Sequence, residues 1–306
     1  MTRFIIRRLG YSLLSLLLLS LTIFLFVRLT GDPTLLLVEP GASKEDMDAI
    51  RQRFGLDRPL WVQYGYFMWS LVQGDFGQSF YYRMPVLELY LTRLPNSLLL
   101  AASAMAFSLL VGIPSGILAA VNVGRFWDRA GKVFVLLGLS LPSFWVGLAL
   151  ILFFSVYLEW LPSSGSGTVW HLLMPTFSLG WFFAAAHMRM TRSSMLDVLG
   201  SEYIKLARLK GLPESRVIVK HAFKNALIPV LTLAGINLII MINVAVVVET
   251  VFAWPGVGRL LYEGITFRDF PVVQAIVLIG GAMIVVVNLL IDILYAIIDP
   301  RIRLEA

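Results

Sequence analysis

Residues 97–121 read SLLLAASAMAFSLLVGIPSGILAAV, twenty-five positions without one Asp, Glu, Lys or Arg. A helix rises about 1.5 Å per residue, so a hydrocarbon core about 30 Å thick is crossed in about 20 residues. Five more stretches qualify: Leu9–Val27, Val133–Leu158, Leu172–Met188, Ala226–Val248 and Val272–Ile291 are likewise uncharged. Lipid offers the backbone no hydrogen-bond partner, which predicts a helix over each. The expectation is an all-α integral membrane protein with six transmembrane helices. Composition agrees, with 58% hydrophobic and 14% charged residues among 306 and a mean hydropathy of +0.81, where a soluble domain carries about a quarter charged residues. The chain has no cysteine, which excludes disulfides and thiolate metal sites.

The N-terminus, with Arg3, Arg7 and Arg8 before Leu9–Val27, superficially resembles a secretory signal. Its apolar run is too long, however, and continues into Arg28 and Gly31-Asp32-Pro33 without a small-x-small pattern. It reads as a retained first span. Six spans place both termini on one side. That side holds the N-terminus, the loop with Arg125, Arg129 and Lys132, the loop from Arg189 to Lys224, and the tail, with 16 Lys and Arg against 9 opposite. The richer side is cytoplasmic by the positive-inside rule. The net charge of +6 is thus a matter of sidedness, not of nucleic acid. The resulting division is 1–29, a basic segment and first span; 30–96, an external helical cap; and 97–306, a core of five spans with the cytoplasmic loop 189–225.

Within the cap, Ser43 with Asp46 marks one helix start, and Gly55 its stop. Pro59 opens another helix ending near Gly74, with Leu60, Tyr64, Phe67 or Met68, and Leu71 as a buried stripe. In the cytoplasmic loop, Ser201 is placed to cap a helix over Glu202–Lys210, Gly211 to end it in the left-handed conformation, and Pro213 to open a second short helix through about Phe223. Tyr203, Leu206, Ala207 and Lys210 share one face of the first; Val217 and His221 share a face of the second, beside Arg216 and Lys220. Periodicity alone leaves two readings open: a hairpin lying on anionic headgroups, or a docking element for another protein. Tethering to spans on both sides argues against a DNA reader.

The residues Tyr203-Ile204-Lys205-Leu206-Ala207-Arg208-Leu209-Lys210-Gly211-Leu212, with Val217, His221, Asn225, Ala226 and Pro229, resemble the coupling loop of ATP-binding-cassette importer permeases of the dipeptide, oligopeptide, nickel and glutathione group. The general form of that loop is Glu-Ala-Ala, three residues, then Gly. Ala207 and Gly211 match the second Ala and the Gly, while Lys205 and Leu206 replace Glu and the first Ala, and the closing proline comes late, as Pro229. These departures are usual in the peptide and nickel branch. The resemblance continues through Gly31-Asp32-Pro33, Phe54-Gly55-Leu56-Asp57 with Pro59, Gln63 and Tyr64, Gly74-Asp75-Phe76-Gly77 with Ser79, Glu249, Val251-Phe252, Trp254-Pro255-Gly256-Val257-Gly258-Arg259, Arg268-Asp269-Phe270-Pro271 and Asp299-Pro300-Arg301.

The resemblance implies the type I importer permease fold, a second homologous permease, two ATPase subunits carrying ATP and Mg, and a soluble binding protein that delivers a small peptide, with nickel or a metal chelate, or glutathione, as alternatives. It also implies that this chain holds no cofactor and catalyses no hydrolysis, and it places the protein in a bacterial inner membrane. Glu202, Tyr203, Lys205, Leu206, Ala207, Arg208, Lys210, Gly211, Leu212, His221 and Asn225 are the expected ATPase-coupling residues. Glu249, Trp254, Pro255, Gly256 and Asp269 are candidates for an external gate or pathway. Gly131-Lys132-Val133 lacks phosphate-loop spacing and a following Ser or Thr.

Other polar groups receive plainer readings. Asp292 closes the sixth span and is a weaker pathway candidate than Glu249. Asn237, Asn243 and Asn288 are expected to hydrogen-bond between helices, and His171 and His187 to be interfacial or hydrogen-bonded rather than metal ligands. Pro114, Pro142 and Pro175 are candidate bends, and Trp254 is alternatively an interfacial anchor. A gradient-driven secondary transporter would call for intramembrane ion sites and a duplicated broken-helix pattern, neither of which is legible. The spans also carry no catalytic pairing for an intramembrane enzyme.

Overall fold

The computed structural model describes residues 2–30, 45, 47, 48, 52 and 57–298, with side chains between 7 and 288 within those ranges, residues 30, 287 aside. Gly31-Asp32-Pro33, the helix start at Ser43 and Asp46, the stretch Phe54-Gly55-Leu56, Asp299-Pro300-Arg301 and the side chain of Asp292 lie outside them. Among the described residues the chain is helical with no strand: α1 (Thr2–Thr30), α2 (Leu60–Val72), α3 (Val86–Val121), α4 (Phe126–Ser140), α5 (Ser143–Leu150), α6 (Val169–Leu199), α7 (Glu202–Leu209), α8 (Lys224–Val251), α9 (Val257–Thr266) and α10 (Phe270–Ile298). Four helices are individually long and apolar enough to cross a membrane, and a fifth crossing arises if the bent pair α4 and α5 counts as one.

That bent pair corrects the expectation of a single helix over Val133–Leu158. The chain turns by 101° between Ser140 and Ser143. Leu141 is extended, with φ −86° and ψ 123°, because the ring of Pro142 disfavours the helical conformation in the residue before it. Beyond Leu150 the helix continues in π form over Ile151–Tyr157. A second correction concerns the loop. Instead of a separate short helix ending near Phe223, the turn Glu214–Arg216 runs through a π-helical stretch, Val217–Phe223, straight into α8. Glu214–Val251 is thus one run of 38 residues. No extended residue interrupts it, and Pro229, six residues into α8, and Gly235 are absorbed within the helix.

The chain forms two compact units, one of residues 1–94 and 260–306, the other of residues 95–259. In the first, α1 packs along α10, and a Cβ at Gly281 would collide with Leu19. α2 lies on α1 through Phe24, whose ring centroid is 5.4 Å from Tyr64 and 5.6 Å from Phe67, and through a Ser20 to Tyr64 hydroxyl contact of 2.8 Å. The expected stripe is only partly buried. No α2 residue is fully enclosed, Leu60 is exposed, and so are Trp61, Tyr66 and Trp69. Such an arrangement of aromatics suits a helix at the membrane interface.

In the second unit, α6 is the central element, in contact with α4, α5 and α8. Its upper core joins Leu100, Ala104, Leu179, Phe183, Met241, Val248, Phe252 and Trp254. A separate cluster of Ala120, Met195, Ile204, Ala207, Val217, Ala222 and Ala226 seats α7. Asn237 bonds to His187 at 3.3 Å, an interhelical pair as expected, and His171 Nδ1 lies 2.8 Å from the Thr168 hydroxyl. Asn243 departs from expectation by donating to the Ile239 carbonyl within its own helix.

Candidate functional site

α7 is a short helix with two unlike faces. Ile204 and Ala207, three residues apart, are buried against the chain. Outward project Tyr203 (44% exposed), Leu206 (53%) and Leu209 (84%), together with Lys205 and Arg208. Ser201 stands at the N-cap position, but its hydroxyl donates to the Val198 carbonyl and not into α7. The C-terminal end is a Schellman turn: Gly211 has φ +74°, its N–H donates to the Arg208 carbonyl at 2.9 Å, and the Leu212 N–H donates to the Ala207 carbonyl at 3.4 Å.

Side chains brace this turn. Arg208 is forked onto Glu214 at 2.7 and 3.2 Å, and the carboxylate raises the affinity of the guanidinium for its proton. Lys205 pairs with Glu202 at 2.8 Å, and Asn225 reaches from α8 to donate to the Tyr203 hydroxyl at 2.8 Å. Of the expected coupling residues, Ala207 faces inward and holds the helix down, while His221 is half-buried and its carbonyl accepts from Asn225. Leu209, which the sequence reading passed over, is the most exposed apolar side chain of the helix. Its i, i+3 spacing from Leu206 was the available signal.

Next to this region, Asp128 of α4 is buried and receives Arg192 of α6 at 2.7 Å, Lys132 at 3.0 Å and the Gly124 N–H at 2.9 Å. Periodicity gave no hint of this pairing, since the partner is 64 residues away. Asp128→Asn is expected to cost about 1–2 kcal/mol, the value of charge-assisted bonds discounted for the partial exposure of both cations. A lower unfolding temperature of the purified chain checks it.

The Glu249 group is a closed structure within the second unit. Glu249 is fully buried, and its Oε1 accepts the Ser97 hydroxyl at 2.6 Å while its Oε2 accepts the Arg259 N–H at 3.0 Å. Ser97 in turn accepts the Val257 N–H at 2.8 Å. Two groups distant in sequence therefore cap the first turn of α9, where backbone N–H groups lack intrahelical partners and a carboxylate is favoured. A Cβ at Gly256 would collide with the carboxylate, and one at Gly258 would lie 2.9 Å from Oε2. Trp254 is 3% exposed, so it is not an interfacial anchor; its indole donates to the Asn96 carbonyl at 3.0 Å, and the Asn96 amide donates to the Pro255 carbonyl at 2.9 Å. Arg259 clamps the Ala253 carbonyl, and Ala253 has φ +48°, a conformation non-glycine residues adopt only under constraint.

Asp269 belongs to the other unit. It is buried and accepts the Ser79 hydroxyl and the N–H groups of Phe80 and Tyr81, each of the latter at 3.1 Å. Tyr81 stacks on Phe267 at 4.1 Å, and Tyr82 donates to Glu263 at 2.6 Å. Burial, then the Glu263 carboxylate, pushes the Tyr82 phenol up to about 12. Glu249, Trp254, Pro255 and Gly256 are thus assembled into one site, and Asp269 into another.

Long apolar helices, one pair of them sharply bent, together with a braced short helix whose Tyr203, Leu206 and Leu209 stand exposed, define a polytopic membrane protein. The family described as "Binding-protein-dependent transport system inner membrane component" matches residues 112–304, and its N-terminal counterpart matches residues 1–101. The chain is 40% identical over 304 residues to the glutathione transport system permease protein GsiC of Escherichia coli (strain K12), and to that of Salmonella typhi, covering 99% of this chain and of each relative. Among solved structures it is similar in fold to an inward-facing MetNI methionine ABC transporter, with TM-score 0.50, 20% identity, and coverage of 64% of this chain and 94% of the other. It is also similar to an amino acid ABC transporter crystallised with histidines, with TM-score 0.54, 15% identity, and coverage of 68% and 93%. The chain belongs to the binding-protein-dependent transport family and is a transmembrane permease subunit of an ATP-binding-cassette importer, a multi-pass inner-membrane protein. Such importers hydrolyse ATP in separate subunits.

Proposed function

We propose that this permease, paired with a homologous second permease, forms the pathway for a short peptide delivered by a soluble binding protein, and that α7 is the element through which an ATPase subunit drives it. Six spans with both termini cytoplasmic are favoured by the Lys and Arg asymmetry and by the sixth apolar run lying within α10. Residues 30–96 then form an external cap and 97–306 the permease core. ATP and Mg belong to two ATPase partners. The relatives are named for glutathione, a tripeptide, which favours a substrate of that size over nickel or a metal chelate.

The observation that carries the coupling reading is the outward face of α7. Tyr203, Leu206 and Leu209 stand exposed on a helix whose other face is fixed to Met195, Val217 and Ala222. A stiff helix, pinned through Ile204 and Ala207, transmits a push to α6 and α8 as rigid bodies, the motion that alternating access needs. A hairpin merely resting on headgroups has no use for the Arg208 to Glu214 fork and the Tyr203 to Asn225 bond.

Gly211→Val tests this reading. The left-handed conformation costs a β-branched residue about 1–2 kcal/mol, enough to shift the turn without unfolding the spans. Uptake and binding-protein-stimulated ATP hydrolysis are expected to fall about tenfold, as 1.4 kcal/mol corresponds to one decade, in complexes that still assemble. Normal coupling in assembled complexes would overturn the assignment of α7.

A further inference from the structure

Four non-glycine residues among those described hold a left-handed backbone, and two of them are arginines of the first unit, Arg83 (φ 55°) and Arg268 (φ 54°). In that conformation Cβ crowds the carbonyl oxygen, a cost that glycine escapes. Both residues are exposed. Their backbone N–H groups close the turns, Arg83 donating to the Ser79 carbonyl at 3.0 Å and Arg268 to the Ile265 carbonyl at 3.2 Å. Neither guanidinium bonds to another described residue. Side chains carried at such a cost, and unused within the turns, point to a role outside them.

The two turns are held together. Asp269, next to Arg268, accepts the Ser79 hydroxyl and the Phe80 and Tyr81 N–H groups, and the Tyr81 and Phe267 rings stack at 4.1 Å with 1° between their planes. Arg83 thus stands two residues from one ring of the stack and Arg268 directly after the other. Both rings are exposed, as are Tyr262 and Ile265 at the end of α9. The neighbouring carboxylates are already engaged, Asp269 by its three donors and Glu263 by the Tyr82 hydroxyl at 2.6 Å.

We propose that this surface docks the soluble binding protein, whose acidic side chains pair with Arg83 and Arg268 while an apolar side chain covers the Tyr81 and Phe267 stack. Arginine and exposed aromatic rings are the residues that dominate protein interfaces, and a fixed backbone lowers the cost of ordering them on association. Guanidinium groups without partners in the chain select a surface that offers carboxylates. Lipid headgroups would be met as well by arginines on flexible, unstrained backbone. The assignment rests on the delivery reading above and on both turns lying outside the membrane, and it names the surface on which delivery takes place.

Biolayer interferometry of the importer's binding protein on the intact importer in nanodiscs tests it. The pair Arg83→Gly and Arg268→Gly keeps the left-handed backbone and removes both side chains. It is expected to assemble with an unchanged or raised unfolding temperature and to bind about tenfold more weakly, through the loss of two exposed ion pairs and of electrostatic steering. Arg83→Lys with Arg268→Lys, which keeps the charges, should recover most of the affinity and its sensitivity to salt. Wild-type affinity in the glycine pair would overturn the proposal and leave the delivery reading standing, whereas a wild-type importer that holds no binding protein would overturn both. Because the chain has no cysteine, Thr266→Cys carrying a benzophenone maleimide reports the occupant. Crosslinking to the binding protein supports the assignment. Crosslinking only to the second permease or only to lipid, or labelling only from the cytoplasmic side, would overturn it.

Discussion

Glu249→Leu is expected to abolish uptake while leaving the chain inserted in the membrane. The substitution is close in size but removes both acceptors of a closed network. The Ser97 hydroxyl and the Arg259 N–H would lose their partners in a buried site, and an unsatisfied buried donor costs about 1–3 kcal/mol, or about 2–6 kcal/mol for the two. That exceeds the benefit of placing hydrocarbon there, because the first turn of α9 would keep only the Ser97 cap on Val257 and lose the carboxylate cap on Arg259. The segment from Phe252 to Arg259 is folded around this carboxylate, with Trp254 tucked beneath Asn96. Freed from it, the loop should open.

The chain has no native cysteine, so a single Val257→Cys substitution reports the opening as faster reaction with a soluble maleimide. Glu249→Gln, which keeps one oxygen acceptor, should lie between. A Glu249→Leu protein with full uptake and an unreactive position 257 would show that the carboxylate is dispensable. The same reasoning separates a capping role from a pathway role: a group that contacts cargo would change substrate preference, whereas a cap changes uptake of every substrate alike.

The second large effect belongs to the contact between α3 and α6. A Cβ added at Gly112 would lie 2.7 Å from the Ala184 carbonyl oxygen and 2.8 Å from His187 Cβ; at Gly116 it would lie 2.6 Å from Thr191 Cβ and 2.7 Å from the Met188 carbonyl oxygen. From the facing helix, Gly180 approaches Phe107 and the Ala104 carbonyl in the same way. Two of the obstacles at each position are backbone or Cβ atoms, which no rotamer change moves aside. Small residues that let backbones approach are a principal source of helix association in lipid, where no hydrophobic force remains between apolar helices.

Gly116→Leu should therefore cost at least the roughly 1–3 kcal/mol of ordinary overpacking, and the double substitution Gly112→Leu with Gly116→Leu should prevent the unit from assembling. The amount of intact importer recovered from membranes measures it. Gly235→Leu is the control, since a Cβ there meets nothing within 4 Å, and should accumulate normally. Equal recovery of the double variant and the control would refute the close-packing account. The proline between the two glycines, read as a candidate bend, thus sits in a seam whose flanking glycines serve approach and not only flexibility.

The membrane class, four of the long apolar helices and the place of the short helix after α6 were legible because each rests on local physics: unbroken apolar length, and Ser201, Gly211 and Pro213 as boundary residues. Gly211 adopts the left-handed conformation that its place after the helix demanded. The break at Leu141-Pro142 was only half legible, because a proline announces a restriction on its neighbour but not the 101° the chain then takes. The merging of the second short helix into α8 was not legible, since Pro213 opens a helix but nothing local between Lys224 and Pro229 fixes whether it ends.

What the sequence could not assign was the duty of each polar residue. Glu249 read as a pathway candidate, Trp254 as a possible surface anchor, and Asp128 drew no reading at all, yet the fold makes the first a cap, buries the second and ties the third to Arg192. The partners that decide these roles lie 64 to 158 positions away along the chain. Hydrophobic length is a property of contiguous residues and is written in order, whereas the satisfaction of a buried charge depends on which distant donors the packed helices bring within about 3 Å.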